Sequence, residues 1–136
     1  MIELSRKGDY AIRGMLYLAR QEEGAVSLIK DIAKAVKVPQ SFLAKIFQDF
    51  NKIGLVKSTR GAGGGFSLGK PAKDISLFDI VTAIEGPIKP NRCIMDEDDC
   101  SFKKTCSVHP VWLKMRDNIE AQLKGVTLKD LIWFIL

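Results

Sequence analysis

The sequence is poor in what membranes, disulfide scaffolds and nucleotide sites require. No apolar run approaches the roughly 20 residues a membrane-spanning helix needs. The first ten residues, Met1 to Tyr10, contain no apolar stretch of signal-peptide type, so a cytoplasmic location is expected. No internal repeat and no low-complexity tract occurs. There are three cysteines, an odd number crowded between Cys93 and Cys106, which is a poor disulfide framework. There is one histidine, His109. No CxxC pair and no GxxxxGK[ST] phosphate loop is present, and the glycine tract Gly61-Ala62-Gly63-Gly64-Gly65 precedes a strand rather than a helix.

What remains suits one compact domain, or a small domain plus an oligomerisation arm, with a basic surface that favours polyanions although many basic proteins bind none. The 136 residues are 46% hydrophobic, enough to bury a core. The formal net charge is +5. Asp96, Glu97, Asp98 and Asp99 form one acidic run, and removing these four negative charges leaves +9 on the rest. A positive field of that size favours nucleic acid.

Periodicity predicts the order of elements. Ser5 to Arg20 reads as a first helix with Ala11, Met15 and Leu18 on one face. Ser27 is expected to cap a short second helix with Leu28, Ile32, Ala33 and Val36 inward. Val38-Pro39 ends it, because a residue before proline avoids helical geometry. A third helix follows, with Phe42, Leu43, Ile46, Phe47, Phe50 and Ile53 as its apolar face and Gly54 at its end. Leu55 to Thr59 and Phe66 to Leu68 alternate as two strands of a hairpin around the Arg60 to Gly65 turn. Ser76 and Asp79 have the spacing of a capping box and open a fourth helix that Gly86-Pro87 stops. Residues 93–106 show no period. Pro110 fits the first turn of a fifth helix bearing Trp112, Met115, Ile119 and Leu123, which Gly125 ends. Thr127 and Asp130 cap a last short helix from Leu128 to about Leu136.

Three helices followed by a hairpin is the order of a winged helix-turn-helix. The fold expected is mainly α with a small β-hairpin wing and a long dimerisation helix. Residues 1–86 would form the DNA-binding domain, 87–109 a cysteine-rich loop, and 110–136 the dimerisation and C-terminal helices. The third helix offers Gln40, Ser41, Lys45 and Gln48 on its polar side, and a helix fits the major groove. Arg60 at the wing tip could reach the minor groove or the backbone, and Gly61 allows close approach. The plain alternative is a helical domain whose polar side faces water.

Cys93, Cys100 and Cys106 are separated by six and five residues, and His109 follows after two more. Thiolates and imidazole suit zinc and iron–sulfur clusters, and the long gaps favour a cluster, which bridges wider separations than one tetrahedral ion. Two other readings stand beside this one. The thiols could be metal-free and form a regulatory disulfide or sulfenate. Cys106 and His109 could be a nucleophile–base pair, but no oxyanion or substrate-pocket signature accompanies them.

Three blocks together resemble one family: LSRKGDYAIRGMLYLA, SFLAKIFQDFNKIGLVKSTRGAGGGFSLGK and the C…C…C..H segment. They resemble the Rrf-two-type winged-helix regulators, which include IscR- and NsrR-like iron–sulfur regulators and cysteine-metabolism regulators. The resemblance covers nearly the whole chain. It implies a homodimer on double-stranded DNA, paired through the helix Pro110 to Lys124. Ser41 and its neighbours would contact bases, and Arg60 the minor groove. It implies a repressor that senses redox state, nitric oxide or iron–sulfur status, and not an enzyme. The alternative function is a cluster-free regulator switched by thiol oxidation or a partner protein. Cys93, Cys100, Cys106 and His109 resemble the IscR-like set for a 2Fe–2S cluster. Asp9 matches the aspartate that some NsrR-like members use as fourth ligand to a 4Fe–4S cluster. The first cysteine gap is one residue longer than is typical. The 2Fe–2S cluster with His109 is favoured, and the 4Fe–4S cluster with Asp9 is the alternative.

Overall fold

The computed structural model describes residues 3–90 and 106–132. Cys93, Cys100 and the acidic run lie outside the described residues. So do residues 133–136, which the last expected helix included.

Helix α1 (Arg6–Ala19) starts under Ser5, whose hydroxyl accepts from the Gly8 N–H. Its stripe of Ala11, Met15 and Leu18 is buried. Helices α2 (Ile29–Val36) and α3 (Gln40–Lys52) pack against it and each other. Ile32, Leu43, Ile46, Phe47 and Phe50 supply most of the shared core. Each such side chain contributes about 1.5–3 kcal/mol by leaving water. Strands β1 (Val56–Thr59) and β2 (Gly65–Leu68) form an antiparallel hairpin with Val56 opposite Leu68 and Thr59 opposite Gly65. A single 3₁₀ turn, Ala72–Asp74, leads to α4 (Leu77–Glu85). The chain resumes in α5 (His109–Lys124) and ends its described part with the short α6 (Leu128–Leu131).

Two expectations about side chains fail. Ser27 does not cap α2. The N-cap residue is Leu28, with no side-chain hydrogen bond, and Leu28 is 42% exposed rather than inward. The backbone of Ser27 is engaged elsewhere: it exchanges hydrogen bonds with Phe66 (2.9 and 2.8 Å), adding a one-residue third strand to the hairpin. That long-range pairing outweighs a local cap. The apolar face of α3 is also narrower than expected. Phe42 is 61% and Ile53 56% exposed. Six residues span too wide an arc for one contact face. Phe42 sits at its edge, 6.5 Å from the Tyr10 ring, and Ile53 falls at the C-cap.

Both capping boxes form with Asp in the place of the usual Glu. Asp79 N–H donates to Ser76 Oγ (3.1 Å) while Asp79 Oδ2 accepts from Ser76 N–H (3.0 Å). Asp130 and Thr127 do the same. The two boxes lie side by side, because Ser76 and Thr127 form a β-bridge. Leu77 N–H donates to the Val126 carbonyl and Leu128 N–H to the Ile75 carbonyl, each at 2.9 Å. Leu128 is thereby carried, fully buried, into the core shared with α1 to α4.

Candidate functional site

Helix α3 turns its buried side to α1 and α2 and leaves Gln40, Ser41, Lys45 and Gln48 exposed. Ser41, Lys45 and Gln48 recur at i, i+4 and i+7, so they share one face. Lys52 continues that row, exposed, four residues beyond Gln48. Sequence reasoning omitted it, although the spacing alone could have found it.

The wing is held to this helix at several points. Asn51 Oδ1 accepts from the Ser58 N–H (3.2 Å), tying the end of α3 to β1. The Phe66 ring meets Phe47 edge-on at 5.3 Å. Gly65 lies against the Ser27 carbonyl so closely that no side chain fits, which is why the bridge to Ser27 needs glycine there. At the tip Arg60 and Gly61 are exposed, and Gly61 has a φ of 96°, which favours glycine. Lys57 and Lys70 flank the hairpin, also exposed. Residues 27–70 contain eight Lys or Arg against two acids, Asp31 and Asp49, a net +6 that exceeds the +5 of the whole chain. Helix-turn-helix and wing thus form one rigid, strongly positive unit.

Comparison with known proteins agrees with this geometry. The family model for Rrf2, an iron-dependent transcriptional regulator, matches residues 4–133. The chain belongs to the Rrf2 family. It is therefore a DNA-binding transcription regulator, and its relatives are regulators rather than enzymes. The regulator IscR of Serratia proteamaculans is 34% identical, over 96% of this chain and 79% of its own. The structure of CymR, the global cysteine regulator of B. subtilis, superposes with a TM-score of 0.81 at 32% identity, covering 100% of both chains. The structure of T. potens IscR gives 0.75 at 32% identity, over 96% of this chain and 86% of that one. No helix among the described residues is long and apolar enough to cross a membrane.

The cysteines of this chain all lie in its second half. Of the four donors expected here, Cys106 and His109 are described. Cys106 is half-buried, and His109 is buried at 9% exposure as the first residue of α5. Two residues, Ser107 and Val108, separate them just before that helix. It has no side-chain cap, and Pro110 in its first turn has no N–H to satisfy. A partly shielded thiol and a shielded imidazole are soft and borderline donors of the kind iron–sulfur clusters take, so the described part of the set fits such a group.

Asp9 stands apart from them. It lies in the first turn of α1, where the helix dipole favours a negative charge, and its Oδ2 is 2.7 Å from Arg13 Nη2. Arg13 also reaches the Val36 carbonyl at the end of α2 (3.4 Å). Among the described residues no three of His, Cys, Asp and Glu come together, so Asp9, Cys106 and His109 do not form one group within a protomer. The Asp9–Arg13 pair is half-exposed, and breaking it would cost no more than about 1 kcal/mol.

Proposed function

We propose that this Rrf2 regulator binds a pseudo-palindromic operator as a homodimer and changes its DNA affinity with the state of its cysteine segment. Gln40, Ser41, Lys45 and Gln48 read the major groove, and Arg60 with Gly61 brings the wing to the minor groove or backbone. Cys93, Cys100, Cys106 and His109 hold an iron–sulfur cluster, 2Fe–2S with this set, with Asp9 the alternative fourth ligand of a 4Fe–4S form. A bound cluster supplies a ligand and charge state that oxidants and nitric oxide alter. A reducing cytoplasm keeps such thiols free to bind it. The chain divides into the DNA-binding domain 1–86, the sensing loop 87–109 and the dimerisation arm 110–136, and the sensing event relieves repression.

One observation carries the reading. Helix α5 begins at His109, three residues after Cys106, and the chain just past its far end is stitched through Val126 and Leu128 to Ile75 and Leu77 at the start of α4. Ordering the start of α5 is thus mechanically connected to the winged domain. Trp112, Met115, Ile119 and Leu123 are only half-buried along α5, and Val111 is exposed. A second copy would cover such a surface. The two states must differ in DNA affinity for the switch to work.

Anaerobic purification tests this directly. A brown protein with visible absorption and stoichiometric iron and sulfide is expected, and Mössbauer spectra then give the cluster type. A protein that stays colourless and iron-free after reconstitution would falsify the cluster assignment. His109→Ala and Asp9→Ala, compared by their visible spectra, decide the fourth ligand.

The similarity to CymR, which is named a cysteine regulator, favours one further reading: thiol switching without a cluster. Mass spectrometry of metal-free protein would then show a reversible disulfide among Cys93, Cys100 and Cys106, and its reduction would restore DNA binding.

A further inference from the structure

Helix α2 carries a charged stripe that base reading by α3 does not use. Lys30, Lys34 and Lys37 follow one another at i, i+4 and i+7, so they line one side of the helix and its C-cap. All three are exposed. None of their ammonium groups pairs with an acid among the described residues. Only four lysine or arginine groups among the described residues pair with an acid, and none of them lies on α2. Lys7 pairs with Asp49, Arg13 with Asp9, Arg116 with Asp117 and Lys124 with Glu120. The only acid on α2, Asp31, lies off the stripe, one residue from Lys30.

The last lysine is held at a conformational cost. Lys37 has φ 58° and ψ 49°, and among the described residues it is the one non-glycine with positive φ. Its N–H closes the helix onto the Ala33 carbonyl, a role glycine performs without strain. A strained residue at an exposed turn points to a use for its side chain. That turn, Lys37 to Pro39, leads directly into Gln40 and the recognition helix.

We propose that Lys30, Lys34 and Lys37 form a phosphate-contact stripe on the DNA backbone beside the bases that α3 reads. In a helix-turn-helix the second helix lies in the groove and the first crosses the backbone, so α2 is the element that meets phosphates. Each ammonium neutralises a phosphate and releases a counterion, which adds affinity but no sequence preference. The inference rests on α3 being the base-reading helix.

The test uses the full chain, an operator duplex selected in vitro from random DNA, and a scrambled duplex of equal length. Affinity is measured by fluorescence anisotropy from about 50 to 200 mM salt. Replacing all three lysines by Gln should lower the slope of log K against log salt by about 0.9 per lysine in each protomer, for both duplexes. The ratio of operator to scrambled affinity should stay as in the wild type. Lys129→Gln, on α6, is the control and should change nothing. Lys37→Gly separates charge from folding: it should raise the melting temperature yet weaken binding to both duplexes. A triple variant that binds both duplexes with the wild-type slope would overturn the stripe. If it also lost promoter response, the lysines would belong to an acidic protein surface instead. Wild-type protein that failed to distinguish operator from scrambled DNA would sink the base-reading assignment as well.

Discussion

The six helices of the described residues begin in two different ways. Helices α1, α4 and α6 start under Ser5, Ser76 and Thr127, each with a side-chain oxygen on a backbone N–H of the first turn. Helices α2, α3 and α5 start at Leu28, Pro39 and Val108 with no side-chain cap. The capped starts belong to the frame that holds the molecule together. The uncapped ones open the two helices of the helix-turn-helix and the helix beside Cys106. A cap contributes about 1 kcal/mol, so stability has been placed in the frame and withheld from the elements proposed to read DNA and to sense. Active and binding elements are often drawn from the less stable part of a protein.

The strongest test of this contrast is on the frame side. Leu128→Ala should destabilise the protein by about 2–5 kcal/mol, because a fully buried leucine leaves a cavity. Urea unfolding measures it, and a loss below about 1 kcal/mol would mean that α6 is not part of the frame. Next come the two capping boxes. Ser76→Ala and Thr127→Ala should each cost about 1 kcal/mol. Because the boxes adjoin through the bridge, the double variant should depart from additivity by more than about 0.5 kcal/mol. Additive losses would separate the boxes energetically.

A cap can also be supplied where none exists. Leu28→Ser should raise stability by about 0.5–1 kcal/mol, since an exposed leucine loses little and the start of α2 gains an acceptor. No gain in the thermal midpoint would show that α2 already satisfies its first turn in another way. The smallest effect is expected where a capped helix touches an uncapped one. Lys7 and Asp49 join α1 to α3 at 3.9 Å with both side chains half-exposed. A double-mutant cycle should return no more than about 0.5 kcal/mol, and 1 M salt should abolish it.

Local grammar makes much of the fold legible in the sequence. The hairpin, the two capping boxes and the Pro110 start of α5 each depend on residues within a few positions. The errors were non-local. Ser27 looks like a cap in isolation, but Phe66, thirty-nine residues on, takes its backbone. Phe42 and Ile53 match the apolar period of α3 but sit outside the arc that α1 and α2 cover. At the candidate site Gln40, Ser41, Lys45, Gln48, Arg60 and Gly61 all proved exposed, as a contact surface requires. The lysine row Lys30, Lys34 and Lys37 carries no apolar period, so the periodicity of α2 marks only its inward residues. The left-handed backbone of Lys37 has no signature in a lysine, and the tie between Asp9 and Arg13 competes with a ligand role that spacing could not weigh.

The bridge between Ser76 and Thr127 makes α5 a lever. Its sixteen residues span about 24 Å at 1.5 Å per residue. The Lys124 end is the fulcrum, pinned by the paired backbone at Val126 and Leu128 and by the Lys124 ammonium 4.5 Å from the Phe78 ring. The long arm ends at His109, which is buried. A pull of about 4 Å on that end rotates the rod by only about 10°. The torque is delivered at the base of α4, next to the core that seats the recognition helix. Under the proposed switch, a small displacement at the cysteine segment would in this way be geared down into a fine adjustment of angle, the quantity that would set how two winged domains straddle successive turns of DNA.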